Sequence, residues 1–173
     1  VNNVTYEFAV SATYSDGEES GQSESIELTP QAQTVHEESY DDGMADAYWS
    51  AGSGQFNAVK YSALNAGEDV VRFKWYQEGE GGAFYLKMFA DDGDSPGDET
   101  YSRVMAGGLV QGWNTYDLSS EGLSVSGDFW IGTKEFSSSQ PLGLDTSSNS
   151  GNSSSTQGGG DWAGVNGELM IRV

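Results

Sequence analysis

Four aspartates between positions 91 and 98 form the group of side chains best suited to bind an ion. The sequence there is Asp91-Asp-Gly-Asp-Ser-Pro-Gly-Asp98, which supplies the carboxylates of Asp91, Asp92, Asp94 and Asp98. Oxygen-rich loops suit calcium, which takes about six to eight oxygen ligands, although this spacing differs from that of an EF-hand. Glycine and proline also favour a simple turn whose aspartates face water. The sequence leaves both interpretations open, a calcium site and a solvated turn.

Catalytic chemistry has little support in the sequence. The single histidine, His36, falls in a predicted linker, and the chain contains no Gly-x-Ser-x-Gly elbow. Because there is no cysteine, thiol chemistry and a disulfide framework are excluded. Paired carboxylates can hydrolyse glycosides only when they face each other across a cleft, which a sequence does not show. We expect a protein that is not an enzyme and that requires no cofactor.

The charge of the chain limits its partners. Twenty-seven acidic residues against seven basic ones give a net charge of -20. This charge repels nucleic acid and anionic lipid headgroups. No apolar run approaches the roughly 20 residues of a membrane helix. We therefore expect neither nucleic-acid binding nor membrane insertion, and we predict an extracellular or cell-surface protein.

The tryptophans raise the question of carbohydrate binding, since exposed aromatic rings can stack on sugar rings. Trp75 and Trp130 lie in apolar strands and Trp113 lies at a strand start, so these three suit the core or a sheet edge. Trp49 and Trp162 have small, polar neighbours. They are the candidates for an exposed sugar-stacking site.

The first thirty residues are predicted to form two strands joined by a polar loop. Apolar and polar residues alternate on both sides of the turn at Ser15-Asp16-Gly17, and Pro30 ends the segment. The predicted apolar face comprises Tyr6, Phe8, Val10, Ala12, Ile26 and Leu28. A lone two-stranded hairpin is marginally stable at best in water. This face must therefore pack on residues 31–173 or on a neighbouring molecule.

Residues 37–173 read as one all-β domain, preceded by a linker at 31–36. Short apolar runs alternate with glycine, serine and aspartate clusters, and no segment has a helical period. The predicted strands lie near 57–62, 70–75, 84–89, 101–105, 113–118, 129–132 and 169–173. About eight strands at this spacing predict a β-sandwich or jelly roll.

Hydroxyl-rich segments suggest attached sugars. Serine, threonine, asparagine and glycine fill most of residues 146–160, which predicts a long exposed loop. Asn152 in this stretch and Asn3 near the start match the N-glycosylation pattern. We expect sugar attached to the protein in preference to sugar bound by it.

Two family resemblances follow from these motifs. The segment Tyr6-Glu-Phe-Ala-Val-Ser-Ala-Thr-Tyr-Ser-Asp-Gly17, with the closing Thr29-Pro30, resembles the last two strands of a fibronectin type III module. A complete module has seven strands, so five are missing from this resemblance. A trimmed chain, a fragment of a longer chain, and a strand pair donated to another subunit each explain this.

Residues 37–173 look like a jelly-roll domain found near the ends of large secreted bacterial proteins. The similarity is carried in order by Ser39-Tyr-Asp-Asp-Gly43, Phe56-Asn-Ala-Val59, Ser95-Pro-Gly97, Gly112-Trp113, Gly127-Asp-Phe129, Gly143-Leu-Asp145 and Leu169-Met-Ile-Arg172. The resemblance implies an accessory role in anchoring, adhesion or surface display. It carries no catalytic residue over to this chain.

These observations predict a secreted bacterial structural subunit. If the hairpin of one subunit completes a sheet of the next, identical subunits form a filament, because such a contact does not close on itself. The alternative is a carbohydrate-binding or anchoring module of a larger secreted enzyme or adhesin. The position of the hairpin, on its own domain or on a neighbour, separates the two.

Overall fold

The computed structural model describes residues 4–30, 34–106, 109–137, 139–157 and 161–173. The chain divides into two compact units, Val1–His36 and Glu37–Val173. None of the described residues lies in a helix, so none forms a helix long and apolar enough to cross a membrane. The predicted all-β class is confirmed.

The first unit contains a short antiparallel hairpin. Its strands are β1 (Tyr6–Phe8) and β2 (Ile26–Leu28), with Tyr6 opposite Leu28 and Phe8 opposite Ile26. Beyond Phe8 the regular ladder stops earlier than the alternation predicts. Serine hydroxyls take the place of backbone acceptors there, since the N–H groups of Val10 and Ala12 donate to the Oγ atoms of Ser23 and Ser20 at 3.2 and 2.9 Å.

The described residues of the second unit form fourteen short strands. In chain order they are β3 (Ala47–Trp49), β4 (Phe56–Ser62), β5 (Glu68–Asp69), β6 (Arg72–Gln77), β7 (Phe84–Asp91), β8 (Pro96–Met105), β9 (Gly112–Asp117), β10 (Ser124–Val125), β11 (Asp128–Glu135), β12 (Leu142–Asp145), β13 (Ser153–Ser155), β14 (Ala163–Gly164), β15 (Glu168–Leu169) and β16 (Ile171–Arg172). They form two six-stranded antiparallel sheets. Strands β5 and β10 pair separately.

We call the two large sheets sheet I and sheet II. Sheet I has the order β14-β13-β4-β11-β7-β8. Sheet II has the order β15-β12-β6-β16, with β3 beside β12 and β9 beside β6. The inner faces of both sheets contribute to one apolar core, so the unit is a β-sandwich.

The core requires close contact both between and within the sheets. Trp75 of sheet II meets Phe84 of sheet I edge to face, with ring centroids 5.3 Å apart, and the buried Tyr61 hydroxyl donates to the carbonyl of Ile171. Within sheet I, β11 and β4 approach so closely at Gly132 that a Cβ atom there would lie 1.9 Å from the Asn57 carbonyl oxygen. Glycine is therefore the only residue that this position accepts without backbone movement.

The serine-rich stretch differs from the predicted exposed loop. Ser153, Ser154 and Ser155 form β13, pair with β4, and are all buried. Ser153 has a specific partner, since its hydroxyl donates to the Glu168 carboxylate at 3.0 Å and accepts the Leu169 N–H at 2.9 Å. Composition alone misleads here because a small hydroxyl side chain can be buried when a carboxylate and the backbone satisfy it.

Buried carboxylates hold the loops at both ends of the sandwich. Asp145 and Glu168 lie opposite each other in β12 and β15, and both are fully buried. Burial would raise the pKa of Asp145, but hydrogen bonds from Ser147, Ser148 and the Asp42 N–H lower it to about 2. Elsewhere Glu135, 1 % exposed, accepts hydrogen bonds from Ser50, the Ala51 N–H and other groups. Each carboxylate ties a loop to a strand.

The segments at the start and at the end of the second unit, at Glu38 and Val173, lie side by side. The Glu38 N–H donates to the Val173 carbonyl at 2.9 Å, and the Val173 N–H donates back to the Glu38 carbonyl at 3.3 Å. This reciprocal pair is the antiparallel arrangement found between neighbouring strands.

Candidate functional site

The hairpin presents an apolar face that its own residues do not cover. The register places Tyr6, Phe8, Ile26 and Leu28 on one face, and Glu7 and Glu27 opposite each other on the other face. The exposed fractions on the apolar face are 54 % for Phe8, 72 % for Val10, 64 % for Ile26 and 57 % for Leu28. The remaining predicted assembly residues, Tyr6 and Ala12, are exposed as well. This exposed apolar face is a candidate interaction surface.

An open sheet edge in the sandwich offers a matching surface. Strand β8, ten residues long, ends sheet I, and its second edge has no partner strand among the described residues. A groove of about 330 Å³ runs beside it, with Met88, Tyr101, Leu123, Val125 and Phe129 in its wall. Thr100, Ser124 and Asp128 also line the groove, so its wall is partly polar. An unpaired edge next to a groove suits the addition of another strand.

A row of aromatic side chains crosses the outer face of sheet II. Tyr48 lies opposite Gly143, and Tyr76 lies opposite Trp113. Tyr48 is 69 % exposed, whereas Tyr76 and Trp113 are half-buried and meet edge to face at 5.6 Å. A Cβ at Gly143 would lie 2.9 Å from Tyr76 Cδ1 and 2.7 Å from Met170 Sδ, so these two side chains fill the space above the glycine. Three aromatic residues therefore lie on the outer face of sheet II, and two of them are in contact.

Charged groups surround this row in balanced number. The Arg172 guanidinium lies 4.3 Å and the Lys74 ammonium 5.3 Å from the Trp113 ring centroid. Lys74 pairs with Glu37 at 2.7 Å, and Arg172 pairs with both Glu37 and Asp41. The hydrogen bond from Lys74, opposed by desolvation, lowers the pKa of Glu37. Two cations and two carboxylates therefore leave the surface near neutrality.

The aspartate cluster is a tight turn, and lysine occupies one side of it. Asp91 ends β7 and Asp98 belongs to β8, so only residues 92–95 connect the two strands. The Lys60 ammonium lies 2.9 Å from the Gly93 carbonyl oxygen, 3.2 Å from Asp91 and 3.1 Å from Asp128. Asp92, Asp94 and Asp98 are exposed. In the part of the chain that the structure describes, no three histidine or acidic side chains are arranged to hold a metal ion. The calcium site stays a prediction.

The two tryptophans expected to be exposed are half-buried. The Trp49 ring packs against the main core and its Nε1 donates to Asn57 at 3.0 Å. Trp162 packs on the rings of Phe56 and Phe89 at 5.8 and 5.7 Å. They lie in different apolar clusters, and each ring has a structural neighbour that the flanking small residues do not reveal.

The remaining predicted residues divide between described and undescribed segments. Asn152 is half-buried and lines a cleft together with Lys60 and Asp128. Ser154, which completes the glycosylation pattern of Asn152, is only 5 % exposed. Asn3 lies outside the described residues. His36 is exposed. Glycosylation at both asparagines stays a prediction.

Sequence reasoning missed Tyr48, Tyr76 and Trp113 as a group. The alternation in β6 contained the signal, since Phe73 and Trp75 face the core and Tyr76 must then face outward. The pairing of β6 with β9, which places Trp113 beside Tyr76, could not be read from the sequence.

No family model, curated protein or solved structure matches this chain. Its function must therefore be argued from these surfaces.

Proposed function

We propose that this protein is an extracellular, non-enzymatic structural subunit that assembles head-to-tail by adding its hairpin to the sandwich of an identical subunit. The observation that supports the proposal is the row Phe8, Val10, Ile26 and Leu28, each more than half exposed on one face of the hairpin. Exposure of so much apolar surface is unfavourable unless a partner covers it.

The acceptor in this proposal is the free edge of β8. Backbone N–H and C=O groups along an edge strand can pair with an incoming strand, and the neighbouring groove can receive an apolar side chain. The groove beside β8 is lined by residues such as Leu123 and Phe129 and has a volume suited to a side chain of the size of Phe8. The charges oppose this pairing, since residues 1–30 contain six acidic residues and no lysine or arginine, and residues 37–173 contain 21 acidic residues against seven basic ones. Salt must therefore screen the repulsion between subunits.

Burial can supply part of the energy for such a contact. Each of the four apolar side chains contributes roughly 1.5–3 kcal/mol on passing from fully exposed to fully buried, and because they are only 54–72 % exposed in the hairpin, the gross gain is about 4–7 kcal/mol. Association and ordering cost a similar amount, so backbone pairing along β8 must add to the affinity. Because the hairpin and β8 are different surfaces, the contact is heterologous and generates a filament unless its rotation closes a ring.

Engineered cysteines test this contact directly, because the chain has none of its own. Ala9 lies on the hairpin face opposite to Phe8, so Ala9→Cys adds a thiol without removing an apolar contact. One preparation carries Ala9→Cys, and others carry Thr100→Cys, Ser102→Cys or Val104→Cys on the exposed face of β8. Leu64→Cys, in the connection between β4 and β5, is the matched control because Leu64 is 66 % exposed and belongs to sheet I's β4 side and not to β8. Mixed under mild oxidation, donor and β8 acceptors should form a mixed disulfide that the Leu64→Cys control does not form.

Further variants define the outcomes. Phe8→Asp with Val10→Asp should abolish both the disulfide and any filament seen by electron microscopy, while the far-ultraviolet spectrum of the sandwich is kept. Cross-linking as efficient to the Leu64→Cys control as to the β8 positions would contradict the proposal. So would a single chain carrying both Ala9→Cys and Val104→Cys that closes an internal disulfide at every dilution, since the hairpin would then pack on its own sandwich.

A further inference from the structure

We infer that the outer face of sheet II is a binding site for a neutral polysaccharide chain, with Tyr48, Tyr76 and Trp113 as its stacking platform. The inference does not depend on head-to-tail assembly, because it uses none of the hairpin residues and none of β8.

The arrangement of the rings is the first argument. Neighbouring strands lie about 4.8 Å apart, and the Met170 backbone lies between β12 and β6 because it accepts the Tyr76 N–H and donates to the Gly143 carbonyl, so the row from β3 to β9 spans about 19 Å. Gly143 lies in the middle of the row, where the absence of a side chain leaves room for Tyr76 and Met170. The three rings thus follow one line across the strands, as an extended chain of sugar rings requires. The C–H faces of such rings stack on the electron-rich faces of aromatic side chains.

The polar groups provide the second argument. Ligand sites combine apolar surface with a few placed polar groups that fix orientation. Lys74 and Arg172 supply N–H donors over the Trp113 ring, so a sugar ring must stack on the part of Trp113 that they leave open, and Glu37 supplies carboxylate acceptors bound to both cations. These groups can exchange hydrogen bonds with sugar hydroxyls.

Charge decides between neutral and acidic polysaccharides. The two cations beside the row are matched by the carboxylates of Glu37 and Asp41, so no unpaired positive charge is left to bind uronate groups. The chain as a whole carries a net charge of -20, which repels polyanions. A neutral, hydroxyl-rich chain is the ligand that fits both the local and the overall charge.

Affinity electrophoresis tests the site with defined probes. The full chain is run in native gels containing hydroxyethylcellulose, xylan, galactomannan or laminarin, with polygalacturonate as the anionic probe. At least one neutral polymer should retard the protein. Tyr48→Ala and Trp113→Ala should each weaken that retardation about tenfold, the effect expected for loss of an aromatic anchor. Tyr14→Ala is the matched control, because Tyr14 is 57 % exposed but belongs to the hairpin.

The result can contradict the inference in three ways. No retardation by any neutral polymer would overturn it, as would equal retardation of the wild type and both platform variants. Retardation by polygalacturonate alone would overturn the assignment of a neutral ligand. Because Tyr48 is largely exposed, Tyr48→Ser should fold normally and gives a clear answer even if Trp113→Ala lowers stability. A Phe8→Asp chain should bind as the wild type does, which separates this site from the assembly contact.

Discussion

The two outer faces of the sandwich carry similar aromatic residues but treat them differently. On sheet I, Trp130 is 1 % exposed because it packs with Ala58 and Phe89 beneath Phe56 and Trp162. On sheet II, Tyr48 is 69 % exposed, Tyr76 and Trp113 are half-buried, and the cations of Lys74 and Arg172 lie over the Trp113 ring. Aromatic residues on the first face therefore add a second small core, whereas those on the second face remain partly accessible. Stability and binding should separate along the same division.

The largest effect on stability should come from Trp130. Trp130→Ala removes a buried ring that packs on Phe89 and whose Nε1 donates to Asp91 at 2.7 Å. Loss of a buried tryptophan typically costs about 3–5 kcal/mol, which urea unfolding followed by circular dichroism can measure. A loss below about 1 kcal/mol would show that the aromatic cluster around Trp130 does not act as a second core.

The next largest effect on stability should come from Asp145, whose carboxylate holds the loop between β12 and β13. The pKa of this carboxyl group is lowered from 3.8 to about 2 in the folded state. Since the unfolded chain binds the proton more readily, the stabilisation is fully present above about pH 4 and is lost as the pH falls through about 2. The loss amounts to about 2 kcal/mol.

The measurement is the free energy of unfolding in urea between pH 5 and pH 2. Asp145→Asn should flatten this dependence because the substituted residue does not titrate. If the stability of Asp145→Asn falls with pH as steeply as that of the wild type, the acid sensitivity comes from other carboxylates. Glu168, which lies opposite Asp145, is one of them.

A smaller loss of stability is expected from Lys60, which lies at the edge of the aromatic cluster on sheet I. Lys60→Met removes the ammonium that bridges Asp91, Asp128 and the Gly93 carbonyl. Hydrogen bonds to charged groups contribute about 1.5–3 kcal/mol, and partial exposure places the expected loss near the lower end of that range. Lys134→Met is a suitable control, since the structure records only a cation–π contact with Phe56 for its ammonium.

The same position tests the calcium prediction. Because the Lys60 ammonium already lies among the oxygens on one side of the turn, millimolar calcium should leave the wild-type Tm unchanged. A calcium-dependent rise in Tm that is lost in Asp94→Asn would contradict this expectation and support the predicted site at Asp91, Asp92, Asp94 and Asp98.

The smallest effects on stability should come from the open face. Tyr48→Ala should change the free energy of unfolding by no more than about 0.5 kcal/mol, as is usual for exposed positions. Trp113→Ala should cost about 1 kcal/mol, because its ring contacts Tyr76 and Arg172. If Trp113→Ala destabilises the protein as much as Trp130→Ala, the difference between the two faces is not real.

The strands of the core could be predicted, whereas their partners could not. Apolar runs such as Phe84–Phe89 and Phe129–Gly132 are dense enough to identify buried strands by composition, and they lie within β7 and β11. Strand β13 consists only of serines, so no apolar signal marks it. Its burial depends on β4, which lies about ninety residues earlier in the chain. Pairing between distant segments is a property of the fold and not of a local pattern.

The candidate surfaces follow the same rule. The apolar face of the hairpin could be predicted from the alternation of Tyr6, Phe8 and Val10, because it depends on neighbouring residues alone. The platform on sheet II joins three strands that are far apart in the chain, so Tyr48, Tyr76 and Trp113 could be grouped only once the strand order was known. Trp49 and Trp162 were misjudged for the converse reason, since their ring contacts come from other strands.

The reciprocal hydrogen bonds between Glu38 and Val173 make the sandwich suitable for circular permutation. Because these two residues are neighbours in space, a short glycine-rich linker can join them without straining either strand. New termini can then open at the exposed turn around Asn65 and Ala66. The same closeness would allow the sandwich to be inserted as a cassette into a surface loop of a host protein, since both connections leave from one point.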